Sequence, residues 1–108
     1  MDVKQGKLVV TTSWDDGHPA DAKVADLLAK YGVAGTFYIP NRNSEGRPVM
    51  SEGEVRRLSA AFEVGGHSVD HIVLTGLSES EAARQITQNK AWLEDLIARP
   101  VRGFCYVR

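Results

Sequence analysis

Four side chains in this sequence have the types and the spacing of a hydrolytic metal centre. Asp15 and Asp16 close the run Thr11-Thr12-Ser13-Trp14-Asp15-Asp16-Gly17-His18, and His67 and His71 follow four residues apart. Two imidazoles and one carboxylate make three protein ligands for a divalent ion and leave coordination positions for water or substrate. The remaining carboxylate gives the set its chemical interest. A bound ion lowers the pKa of a water, and a nearby base can take the proton. Neighbours in an extended segment point to opposite sides, so one aspartate can face the ion while the other stands off as the base. At i and i+4, a helical turn would stack the two imidazoles on one face. Each segment also has a bland reading, Asp-Asp-Gly as a turn and cap and His-x-x-x-His as surface or satisfied core histidines. His18 reads as a rim or capping residue, and Trp14, Tyr38 and Trp92 read as core or wall.

The elements that must position these groups can be read from periodicity and punctuation. Lys7 to Trp14 is expected to form a buried strand ending at the Asp-Asp-Gly turn. Pro19 opens a helix to about Tyr31, capped by His18 or Asp16 and stopped by Gly32. Thr36 to Ile39 is a second strand, closed by Pro40, and Asn41 to Met50 is a polar loop. Ser51 with Glu54 is a capping box opening a helix to about Ala61, and Phe62-Glu63-Val64 is a third, short strand leading to His67. Ser78 with Glu81 is a second capping box, opening a helix of roughly twenty residues whose stripe holds Ala82, Ile86, Trp92, Leu93, Leu96 and Ile97. Pro100 ends it, and Val101 to Val107 reads as a fourth strand. The order βαβαβαβ predicts an α/β domain spanning residues 1–108, with about four parallel strands and three helices. Functional groups in such folds gather at the carboxyl ends of strands, where Asp15, Asp16 and His67 all fall.

Composition narrows the partners. Thirteen basic and fourteen acidic residues give a net charge of −1, interspersed in sign, so neither nucleic acid nor a membrane surface is indicated. Leu8 to Val10 is far too short for a signal-peptide core or a membrane span, which makes the cytoplasm the expected location. Cys105 is the single cysteine, which excludes an intrachain disulfide and a thiolate cluster.

Four segments in order, Ser13 to Gly17, Gly35 to Ile39, Gly65 to His71 and Arg102 to Tyr106, resemble those of the polysaccharide deacetylases (carbohydrate esterase family 4, the chitooligosaccharide-deacetylase-like group). The resemblance implies a partial, distorted (β/α) barrel and metal-dependent removal of an acetyl group from N- or O-acetylated carbohydrate. Some relatives cleave other non-peptide carbon–nitrogen bonds. It assigns Asp15 as catalytic base, Asp16, His67 and His71 as metal ligands, and the backbone near Tyr106 as the oxyanion holder. The ligand set suits Zn2+, with Co2+, Mn2+ or Ni2+ as alternatives. Two departures stand out: Cys105 replaces an arginine common in the family, and Val107 a proline. The family's later segments, including its general-acid histidine, are not in this chain.

The leading expectation is therefore a hydrolase acting on a carbohydrate or small amide-type substrate. A truncated, non-catalytic metal- or sugar-binding module is the alternative. A phosphohydrolase using Asp15 as nucleophile fits less well, because no phosphate-cradling glycine loop follows. An unprotected last strand predicts a homodimer through that strand and the apolar face of the Ser78 to Arg99 helix.

Overall fold

The computed structural model describes residues 6–108. Three strands and three helices alternate: β1 (Thr11–Trp14), α1 (Asp21–Tyr31), β2 (Ala34–Ile39), α2 (Glu52–Ser59), β3 (Glu63–Gly66) and α3 (Glu79–Ile97). The strands form one parallel sheet in the order β1-β2-β3, with Thr11 opposite Ala34 and Thr36 opposite Glu63. Each crossover carries a helix, as parallel neighbours require. Successive helices pack on one another, with α1 also on β2 and α3 on β3. The result is an α/β unit of the barrel type, with all three strand carboxyl ends on one rim.

Local chemistry accounts for the helix ends. Gly32 closes α1 in the left-handed conformation at φ 66°, accepting no Cβ penalty there. Both bonds of the Ser51–Glu54 capping box form. At α3 half of the expected box forms: Ser78 accepts from the Glu81 N–H, but the Glu81 carboxylate is engaged by Arg84 and Gln85 instead. Helix α1 begins at Asp21, and neither His18 nor Asp16 is its N-cap; His18 Nδ1 accepts from the Ala20 N–H at 3.0 Å within the preceding turn.

The core lies between sheet and helices. Phe37 and Ile39 of β2 are fully buried, with Val55, Leu58, Val64 and Leu93 around them. Phe37 meets Phe62 edge-on at 5.5 Å and stacks with Trp14 at 6.5 Å, so aromatic packing ties β1, β2 and the entry to β3 together.

Three sequence expectations change here. The buried strand expected from Lys7 shortens to Thr11–Trp14, and Leu8, Val9 and Val10 are exposed, because β1 is an edge strand paired with β2 alone among the described residues. The third strand runs two residues further than expected, through Gly65 and Gly66. Cβ atoms there would lie 2.5 Å from the Tyr38 ring and 2.5 Å from Asn89 Oδ1, so the strand continues because both residues are glycine. Val101 to Val107 is not a regular strand. One parallel bridge joins Gly66 to Phe104, held by Gly66 N–H to Gly103 O and Cys105 N–H to Gly66 O.

Candidate metal centre

The turn after β1 brings in the first group. Asp16 sits at φ 78°, left-handed backbone that aspartate tolerates better than most residues. The extended alternation expected for the aspartate pair therefore gives way to a turn, and the two carboxylates separate all the same. Asp16 Oδ1 faces the histidines, whereas Asp15 Oδ2 lies 3.7 Å from the Cys105 thiol.

The segment after β3 supplies the histidines, and it is not helical. Ser68 and His71 both have positive φ, 69° and 55°, which folds the chain back on itself between the two imidazoles. Ser68 Oγ accepts from the Ile72 N–H across that turn. The i, i+4 spacing thus brings the rings together through an irregular loop, with centroids 5.1 Å apart. His67 Nε2 is 3.2 Å and His71 Nε2 2.8 Å from the same oxygen, Asp16 Oδ1. One donor atom from each of the three residues lies within 4.8 Å of the others.

Hydrogen bonding tests whether this arrangement suits a cation. His67 Nδ1 is 2.8 Å from the Cys105 carbonyl oxygen, which can only accept, so the proton of a neutral ring is on Nδ1. Nε2 then presents a lone pair to a carboxylate oxygen. Two acceptors face one another across 3.2 Å, an arrangement that a cation, or a second ring proton, resolves. A carbonyl on the far nitrogen is also the usual partner of a metal-ligating imidazole. Nδ1 of His71 is buried without a partner, and its nearest carboxylate, Glu45, is 4.0 Å away. The donor set and its tautomer fit a divalent ion.

Electrostatics around the rim are unequal. Burial alone would raise the Asp16 pKa, but hydrogen bonds and charge from His71 and His67 hold it below the usual value. Asp21 moves the other way, pushed up chiefly by burial and further by Asp16 and Asp15 against the opposing effect of His18. Burial, with Asp15 adding to it, also raises the Cys105 thiol. Tyr106 is exposed, its ring edge-on to Phe104. Its neighbour Cys105 reaches the centre twice, by carbonyl and by thiol. The cavity of about 480 Å³ lined by Glu63, Arg99 and Arg102 lies at the opposite end of β3 and takes no part.

Sequence reasoning missed two buried amides on α3. Asn89 Oδ1 accepts from the His67 N–H at 2.8 Å, and Gln85 Oε1 from the Val69 and Asp70 N–H groups at 3.0 and 2.9 Å. Their signal was present in the helical period: Gln85, Asn89 and buried Leu93 fall at i, i+4 and i+8 on one face.

Comparison with known proteins identifies the family and the fold. The family model described as polysaccharide deacetylase matches residues 2–107. The chain is 33% identical over 96 residues to the peptidoglycan-N-acetylmuramic acid deacetylase PdaC of Bacillus subtilis, covering 87% of this chain and 20% of that protein. It is 22% identical over 102 residues to a peptidoglycan-N-acetylglucosamine deacetylase of Bacillus cereus, covering 93% of this chain and 46% of the other. The solved structure of PdaC superposes with a TM-score of 0.80 at 28% identity, over 96% of this chain and 51% of that one. The chain therefore spans between a fifth and about half of the length of these relatives.

Proposed function

The chain belongs to the polysaccharide deacetylase family, and we propose that it carries the metal-binding part of a hydrolase that removes acetyl groups from N-acetylated carbohydrate. The observation that carries this reading is the convergence of two imidazole Nε2 atoms on one Asp16 oxygen, with His67 held in the ligating tautomer by Cys105. Asp16, His67 and His71 would hold the ion, and zinc suits two nitrogens and one carboxylate best. Such an ion polarises a carbonyl and acidifies water.

The protein's own groups divide the remaining work. Asp15 stands beside the ligand set without joining it and accepts the proton of the attacking water. As the water oxygen bonds to the acetyl carbon, charge develops on the carbonyl oxygen, and a backbone N–H near Tyr106 is the donor assigned to it. The proton held by Asp15 then passes to the leaving nitrogen as the carbon–nitrogen bond breaks, giving acetate and an amine. The names of the relatives favour a peptidoglycan sugar as the substrate. Acetate release from acetylated chitooligosaccharide or peptidoglycan fragments, with and without a chelator, tests the proposal. Metal-independent release would overturn the metal reading, and no release with zinc tightly bound would favour the non-catalytic binding module.

Location follows the substrate. No helix among the described residues is long and apolar enough to cross a membrane. A soluble oligosaccharide would place the chain in the cytoplasm, as its sequence led us to expect, and peptidoglycan would place it outside; cell fractionation separates the two.

Self-association is the remaining part of the reading, at a different surface from the one first expected. The apolar face of α3 is covered by its own core through Leu93, Trp92, Leu96 and Ile97, and Val101 and Val107 are buried. The consecutive run of exposed apolar residues instead precedes β1, at Leu8, Val9 and Val10, whereas Leu27, Tyr31, Val73 and Tyr106 are exposed singly. A second copy pairing along that edge would cover them.

A further inference from the structure

We propose that Asn89 and Gln85 are positioning residues for the metal centre, fixing the histidine loop in its binding shape before the ion arrives; this rests on the metal reading above. Asn89 is fully buried and Gln85 is 1% exposed, one helical turn apart on α3. Amides in such positions are costly unless every polar atom is satisfied. Asn89 Oδ1 accepts from His67, and its Nδ2 donates to the Ile39 carbonyl at 3.1 Å and to Asn41 Oδ1 at 2.8 Å. Gln85 Oε1 accepts from Val69 and Asp70, and its Nε2 donates to Asp70 Oδ2 at 2.6 Å and Glu81 Oε1 at 3.1 Å.

The partners explain why polar residues occupy a core face. Strand β3 ends at Gly66, so the N–H groups of His67, Val69 and Asp70 lie beyond the sheet ladder just where the chain becomes irregular. Helix α3 supplies the acceptors that a neighbouring strand would otherwise give. The same bonds hold a loop containing two non-glycine residues of positive φ, a conformation that persists only when its surroundings over-determine it. Asn89 thus fixes the backbone of one histidine, and Gln85 the turn that presents the other. Leu93, one turn further along the same face, packs the core without touching the loop's hydrogen bonds, so it serves as the structural control.

The test is zinc affinity by competition with a chromophoric chelator, measured beside thermal unfolding of the metal-free protein. All measurements are made at a temperature where each variant keeps the wild-type circular dichroism. Asn89→Ala and Gln85→Ala should each weaken zinc binding by roughly 10–100-fold, the usual effect of losing an outer support of a metal site. Asn89→Asp, which keeps the acceptor for His67, should lose less than Asn89→Ala. Leu93→Ala should lower the melting temperature yet leave zinc affinity within about threefold of wild type, because the loop's hydrogen bonds remain. If either buried-amide alanine variant fails to fold, Asn41→Ala carries the test. It removes one acceptor of Asn89 from a half-buried loop and should weaken zinc binding by more than about threefold. Wild-type affinity in the Asn89 and Gln85 variants, or an equal loss in Leu93→Ala, overturns the inference and leaves the metal centre standing. A wild-type chain that binds no zinc overturns the metal reading itself.

Discussion

The Nδ1 atom of His67 lies 2.8 Å from the carbonyl oxygen of Cys105, a residue 38 positions further along the chain. That contact sets the ring tautomer and turns the Nε2 lone pair toward Asp16. It also gives the irregular C-terminal segment a role at the centre, because the carbonyl is aimed by the bridge between Gly66 and Phe104. Four predictions follow from this geometry and its supports.

Asp15 and Asp16 should separate cleanly on substitution. Asp16→Asn removes a charged ligand and should weaken zinc binding by more than the roughly 10–100-fold typical of an outer partner. Asp15→Asn should leave zinc binding nearly intact and slow acetate release by about 10²–10⁴-fold, the range for a general base. Parallel zinc titration and acetate assays decide it. Loss of zinc in both variants would contradict the division of roles.

Gly66→Ala should damage the centre without changing any of its side chains. The new Cβ would meet Asn89 Oδ1 at 2.5 Å and the Phe104 ring at 3.2 Å, so Asn89 must move away from the His67 N–H. Both the melting temperature and zinc affinity should fall. Unchanged values of both would mean that strand and helix can part here without cost.

Acid should weaken one feature of α3 in a defined window. The Arg84 guanidinium and Gln85 amide hold Glu81 at about 2, against an ordinary value of 4.5. A depressed folded-state pKa contributes stability that is present above about 4.5 and lost as the pH falls through that value toward about 2. Glu81 is only half-buried at the surface, so the contribution is small and screened by salt. Melting curves recorded between pH 6 and pH 2, a range of about four units around the carboxylate values, should be less steep in pH for Glu81→Gln. A wild-type profile in that variant would show that the ion pair contributes nothing.

Association should depend on the segment before β1. Sedimentation at micromolar concentration is expected to give a dimer, and the double substitution Leu8→Lys with Val10→Lys a monomer, since charge on an edge blocks strand pairing. A wild-type monomer at every accessible concentration would remove the second copy from the account.

Much of the candidate site could be read in the one-dimensional sequence. Asp15, Asp16, His67 and His71 were identifiable because their types are rare together and fall after apolar β-branched runs, where strand ends lie. The α/β order was equally legible, as were the starts of α2 and α3, since Ser51 and Ser78 act on their own next residues. Local signals determine local structure.

Tertiary structure decided the rest. Histidines at i and i+4 meet through a turn of positive φ rather than a helix, because α3, far along the chain, supplies acceptors to that loop. Buried Gln85 and Asn89 look like ordinary polar helix residues until their partners are known. The extent of β3 depended on what Gly65 and Gly66 allow to approach, and the exposure of Leu8 to Val10 on which edge β1 occupies. Each of these is a contact between residues distant in sequence, and periodicity carries no record of a residue's distant neighbours.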